Sequence, residues 1–264
     1  MSVLAAERIK LTTTKSPWWC TVAIVVLGLG IAAILGISAR SAYGSYENAL
    51  ASGNPPDFEP FLPTVADSVT GVSGFGVLVL MIMAALAITS EYRFGLIRTT
   101  FQAIPSRASV LVTKSLLIGV VGAALSFVLA LGGFYVAKAM AGPDAGQAMV
   151  LEGGDAWRSI YSIPIYAFLC VFLAVGVGAL LRQSAAAVAL LLLWPLLVES
   201  LFNLFGSIGR DIMPFLPFTN ANNFLGAPGG VDFHWGPWVS LLYFAAFVAI
   251  VFGASIVVVN KRDA

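Results

Sequence analysis

Charge is what this sequence has least of. Asp, Glu, Lys and Arg supply 10% of its 264 residues, where a soluble domain carries about 25%. Hydrophobic residues supply 59%. That leaves too little polar surface to cover a water-soluble globule, and far too much apolar side chain for a disordered one. The net charge of +1 provides no basic field for nucleic acid. Cysteine is scarce: Cys20 and Cys170 both fall inside apolar runs, so they read as small packing residues and not as a disulfide framework. His234 is the single histidine, with no second His or Cys at ligand spacing to make a metal site. The acidic segments lack the D-x-D-x-D-G calcium pattern, and no G-x-x-x-x-G-K-[ST] phosphate loop occurs. ATP hydrolysis by that route is excluded, and no cofactor is expected on this chain.

Long uncharged runs are what the sequence has instead. A helix needs about 20 apolar residues to cross about 30 Å of hydrocarbon, and helices satisfy every backbone group within the span. The runs predict an all-α membrane protein with six spans, at 17–40, 67–90, 112–138, 159–181, 184–205 and 235–260. The first is too long for a signal peptide and lacks a small-x-small cleavage site, so it reads as a retained anchor. The fifth carries Glu199 in its far part and Pro195 four residues earlier, which predicts a kink.

The bases choose the orientation. With the N-terminus inside, ten lie in inner segments: Arg8, Lys10, Lys15, Arg93, Arg98, Arg107, Lys114, Arg182, Lys261 and Arg262. Four lie outside: Arg40, Lys138, Arg158 and Arg210. This is a positive-inside bias, with both termini cytoplasmic. Nine acids fall outside: Glu47, Asp57, Glu59, Asp67, Asp144, Glu152, Asp155, Asp211 and Asp232. Trp18 and Trp19 mark one interface, and Trp157, Tyr161, Trp235 and Trp238 the other.

Between the spans, residues 1–16 place Leu4, Ala5 and Leu11 on one arc, with Glu7 and Lys10 opposite. An interfacial helix is the natural reading, and a disordered tail the plain alternative. Residues 41–66 and 142–158 read as solvated outer loops. Residues 206–234 are too apolar for a solvated loop, and Pro214, Pro217 and Pro228 break them too often for a span. They predict short re-entrant pieces buried against protein.

The inner segment 91–104 is the most informative. Phe94, Ile97 and Phe101 recur at i, i+3 and i+7, which is one helical face. Arg93 and Arg98 project elsewhere, and Pro105 closes the run. A short amphipathic helix across the inner surface would leave charges open to a cytoplasmic partner. An ordinary positive-inside loop is the plain alternative.

These residues carry a resemblance. Ile88-Thr-Ser-Glu-Tyr-Arg-Phe-Gly-Leu-Ile-Arg-Thr-Thr100, followed by Ile104-Pro-Ser-Arg107 and Lys114, resembles the inner loop of ABC-2 type permeases. These are membrane subunits of bacterial ATP-binding-cassette exporters. Ala6-Glu-Arg-Ile-Lys-Leu11 and Ser16-Pro-Trp-Trp19 are similar to the amphipathic start of actinobacterial examples. Phe215-Leu-Pro-Phe-Thr-Asn220 resembles their last outer loop. The six-span layout extends the likeness over the whole chain, and the local motifs cover about a fifth of it.

The resemblance implies a single transmembrane domain, residues 1–264, in a bacterial plasma membrane. Residues 91–104 would be a coupling helix, with Glu91, Tyr92, Arg93, Phe94, Ile97, Arg98 and Phe101 meeting a cytoplasmic ATPase. Residues 1–16 would be an interface helix, and 206–234 would cap the exit. ATP and magnesium would sit on that ATPase. A second permease protomer, identical or sister, would complete a path lined by spans one, two and five. The uncharged membrane region favours an amphipathic or hydrophobic cargo: a drug, an antibiotic peptide or a lipid. From a different class comes a membrane anchor or immunity-type scaffold that holds an ATPase without moving cargo.

Other constellations carry less. Gly71-Val-Ser-Gly74 has the G-x-S-G shape of rhomboid proteases, but its serine needs a base and only His234 is available. Gly71, Gly74, Gly76, Gly132, Gly133, Gly176 and Gly178 read as close-packing positions. Glu199 has two open roles. It is either a polar point in the outward vestibule, gating with a base such as Arg210, or a carboxylate paired with the outer re-entrant backbone. Asn203, Phe75 and Thr89 are the remaining candidates for a pathway, since periodicity does not say which face meets lipid.

Overall fold

Apolar stretches of this length cannot leave their backbone unpaired away from water, so they coil. The computed structural model describes residues 3–53, 59–60, 62–103, 106–147, 149–227 and 229–261, with side chains at 3–6, 11, 98 and 103 set aside. Helices and turns account for most of these residues, and no strand occurs among them. Six helical runs are long and apolar enough to cross a membrane: Lys15–Ala51, Val72–Arg93, Arg107–Ala145, Gly153–Leu181, Ser184–Phe215 and Pro237–Lys261.

Helix α1 is Val3–Thr13, followed at once by α2, Lys15–Ala51. At 37 residues, α2 is about 55 Å long, well beyond the about 30 Å of a hydrocarbon core. The turn region expected to start at Ser41 is therefore helix to Ala51. An uncharged run marks where apolar surface ends, whereas Tyr43, Ser45, Tyr46 and Glu47 continue the helix without difficulty. Helix α3, Val65–Ser68, opens with a capping box in which the Thr64 N–H donates to Asp67 at 2.8 Å. A π turn, Val72–Gly76, leads into α4, Val77–Arg93. The short helix α5 is Leu96–Ala103.

Helix α6, Arg107–Ala145, is capped by Ser106 and bends at Gly142, whose φ of 79° needs glycine. Pro143 follows that bend. Helix α7, Gly153–Leu181, is the most deeply covered and packs against α4, α6 and the last helix. It ends on Arg182, whose φ of 55° is left-handed.

The Ser184–Phe215 run is broken, as Pro195 predicts. It comprises α8 (Ser184–Leu193), a π turn (Trp194–Val198), α9 (Glu199–Leu201), a 3-10 turn (Phe202–Phe205), α10 (Gly206–Ile212) and a second 3-10 turn (Met213–Phe215). Helix α11, Pro217–Leu225, is buried over Phe218, Asn220, Ala221 and Phe224, against α12 (Pro237–Lys261) and α7.

The buried core runs along α4, α6 and α7, through Met81, Ala84, Ile88, Ile118, Phe134, Ala167 and Ala174. Small residues set the closest approaches. A Cβ on Gly71 would lie 2.9 Å from the Gly28 carbonyl oxygen, so the second run meets α2 backbone to backbone. A Cβ on Gly178 would run into the Ile88 side chain, 2.5 Å away, and lie 3.3 Å from the Ala85 carbonyl oxygen. Gly74 differs from the expected packing role: nothing lies within 4 Å of its Cβ position. Cys170 is buried in the core and Cys20 is half-buried; both are free thiols.

Candidate functional site

Four charged side chains meet where the ends of α1, α4 and α6 converge. Lys10 Nζ donates to Glu7 Oε1 at 2.9 Å and to Glu91 Oε1 at 2.7 Å. Lys114 Nζ donates to Glu91 Oε1 at 3.0 Å, and to Glu7 Oε2 in a very short contact. Three of the four side chains are nearly inaccessible, at 3–5% for Lys114, Glu7 and Glu91, while Lys10 is 40% exposed. The group is two cations against two anions, so its charges balance overall, with one of the cations reaching the surface.

Burial alone would raise the Glu7 carboxyl. The charge of Lys114 and hydrogen bonds from Lys114 and Lys10 outweigh it and hold Glu7 below its ordinary range. Burial would lower Lys10, but hydrogen bonds to Glu91 and Glu7 raise it instead. Each partner favours the charged form of the other. One atom is left over: Glu91 Oε2 is buried with no partner among the described residues, a position that costs about 1–3 kcal/mol in general.

This charge lock lies beside the short helix. Glu91, Tyr92 and Arg93 belong to the last turn of α4, not to α5. Glu91 faces inward, because two lysines wait there. The expected single face of Phe94, Ile97 and Phe101 is divided: Phe94 caps α4 and is exposed, whereas Ile97 is buried and Phe101 packs on the core. The backbone turns at Gly95, φ 69°, which resets the helical phase between Phe94 and Ile97.

Cations clamp the neighbourhood. The Arg107 guanidinium lies 5.4 Å from the Phe101 ring centre and donates to the Val259 carbonyl at 2.9 Å. Arg182 lies 5.0 Å from the Tyr92 ring centre. Arg93 is exposed beside Phe94. The Arg98 side chain lies outside those described. Thr89 is buried, donates to the Ala85 carbonyl and accepts from Ser184 Oγ at 2.9 Å. The ends of α4, α6, α7, α8 and α12 thus meet at one basic end of the bundle.

The pathway candidates do not converge. Thr89 is at the basic end. Phe75 is exposed in the first π turn, 14 residues earlier and therefore about 21 Å away along the helix. Asn203 is exposed on the wall of a cavity of about 760 Å³, with Arg210, Asp211 and His234. Glu199 is buried and accepts from Phe218 N at 2.9 Å, Thr219 N at 2.7 Å, Thr219 Oγ1 at 2.8 Å and Trp194 Nε1 at 3.1 Å. Its carboxylate takes the first free N–H groups of α11, and no Glu199–Arg210 pair occurs among the described residues. Ser73 Oγ donates to the Val69 carbonyl at 3.3 Å and lines a different cavity from His234, so serine and histidine do not meet.

Glu7, Lys10 and Lys114 lie in the segments that carry the resemblance, but no role in a site was expected of them. A signal was present. Apart from the terminal Asp263, Glu7 and Glu91 are the only acids in segments otherwise filled with bases. Two isolated acids among cations mark partners for burial. Compared with protein-family models, curated proteins and solved structures, the chain matches none.

Proposed function

We propose that this chain is the transmembrane permease subunit of an ABC-2 type exporter, moving an amphipathic or hydrophobic cargo outward with energy from a separate ATPase. The observation that carries the reading is the charge lock. It joins an N-terminal helix to the two helix feet that flank a short helix with an exposed rim. A partner that pushes on this end would move α1, α4 and α6 together, since a buried ion group is costly to pull apart. Rigid motion of one element against others is how such bundles alternate access. In this reading the basic end is cytoplasmic and residues 206–234 dip into the opposite leaflet. ATP and magnesium stay on the ATPase, and a second protomer covers the more open faces of α2 and α8.

The test is affinity purification in mild detergent, with ATPase assay and reconstitution of what is recovered. The expected outcome is stoichiometric recovery of an ATP-hydrolysing subunit. Arg93→Glu with Arg98→Glu should then reduce both recovery and transport about tenfold or more while insertion is unchanged. Normal export by that double variant would remove the docking assignment. Recruitment of an ATPase with no cargo movement would favour the scaffold reading instead.

A further inference from the structure

We propose that the trough beneath α1 binds a zwitterionic aminophospholipid, whose ammonium meets the Glu91 carboxylate and whose acyl chain lies along α6. The proposal needs only a bilayer around the chain and does not depend on the exporter reading.

Two cavities of about 440 Å³ each lie under α1. Both have Pro17, Met83 and Ile118 in their walls, so they lie side by side, and the proposal takes them together as one trough. Its two ends differ in chemistry. At one end are Glu7, Lys10, Glu91 and Lys114. At the other are Leu117 and Val121 of α6, with Arg8 and Trp18 at the margin. Val121, Trp18 and Arg8 are exposed, so this end opens sideways where lipid chains would lie.

The polar end specifies the headgroup. Three of the four carboxylate oxygens accept from lysine, and Glu91 Oε2 has no partner among the described residues. A buried carboxylate oxygen selects a cationic N–H donor. Each lysine uses two of its three donors within the lock. The third donor of the part-exposed Lys10 suits a phosphate. Ammonium, phosphate and acyl chain in that order describe an aminophospholipid. An anionic headgroup would instead bring negative charge to an unsatisfied carboxylate. Basic clefts between helices are general lipid headgroup sites; the free carboxylate oxygen is what narrows this one.

The experiment is native mass spectrometry of the detergent-solubilised full chain with phosphatidylethanolamine, phosphatidylcholine or phosphatidylglycerol of matched chains. Phosphatidylcholine keeps the positive charge and lacks the N–H. Phosphatidylethanolamine should be retained about tenfold more than phosphatidylcholine, the worth of one charge-assisted hydrogen bond. Glu91→Gln should bring that ratio close to one. Val121→Trp, on an exposed face outside the lock, should fill the acyl end and lower retention of every lipid. Glycerophosphoethanolamine, the headgroup without chains, should not compete. Equal retention of the two zwitterionic lipids overturns the proposal, as does a preference for phosphatidylglycerol. Retention unchanged by Val121→Trp would put the lipid elsewhere, and displacement by the chainless headgroup would make the site one for a soluble amine. If Glu91→Gln does not fold, the unsubstituted chain and Val121→Trp decide.

Discussion

Lys114 is the side chain whose removal should cost most. It is 3% exposed and donates to both Glu7 and Glu91. Lys114→Ala leaves two buried carboxylates sharing the single part-exposed Lys10, and breaking such a pair from one side costs about 3–5 kcal/mol. Thermal unfolding in detergent should show the loss, and adding Glu7→Gln should recover part of it because one anion goes too. The lock also predicts a pH window. Glu7 is held below its ordinary value, so its stabilising contribution is complete above the unfolded value and is lost as pH falls through the lowered folded value. Lys10 is raised, so its contribution is complete below the unfolded value and is lost as pH rises through the raised one. Docking of α1 should therefore be firm across the neutral range and fail in acid below the ordinary glutamate value of about 4. Hydrogen exchange of residues 7–13 across an acid titration would read this; protection that persists unchanged well below that range would contradict it.

Among the elements, α11 depends on a residue from another helical run. Its first N–H groups donate to Glu199, the residue just after the π turn that contains Pro195. Glu199→Ala leaves two buried backbone donors and the Trp194 indole without that acceptor, at about 1–3 kcal/mol for each. The expected outcome is at least about 2 kcal/mol of destabilisation, with faster hydrogen exchange confined to 217–225. Uniform loosening of the whole bundle would argue against a local cap. Elements were legible to different degrees. The kink at Pro195 follows from a missing donor, which is a local fact. The division of Phe94 from Ile97 was not legible, because Gly95 resets the phase and any residue type could have stood on either side. Helix ends were underestimated at Ala51 and Ala145 for a related reason: hydropathy reports where apolar surface stops, and a helix is free to run on into water.

At the scale of the whole molecule, the ends of α4, α6, α7, α8 and α12 are tied together by Arg107–Val259, Thr89–Ser184 and the Arg182–Tyr92 contact. The bases concentrate at that end. A positive-inside chain would keep it cytoplasmic. Reporter fusions should then show the Lys261 end inside and an insertion between Gly229 and Gly230 outside. The reverse result would overturn the orientation and, with it, the proposed docking of an ATPase at this end.

Composition and run length by themselves determined an all-helical chain with six runs able to cross a membrane, because backbone satisfaction in hydrocarbon admits few solutions. Charge placement set Glu199 apart as an acid within a span, and the same criterion, applied to the inner segments, finds Glu7 and Glu91. Only the tertiary structure decided what each was for. A carboxylate's role depends on which donors reach it, and most of those donors come from other helices, 19 to 107 residues away in sequence. Spacing along one helix carries no information about a neighbour's lysine or the free N–H groups at another helix's start.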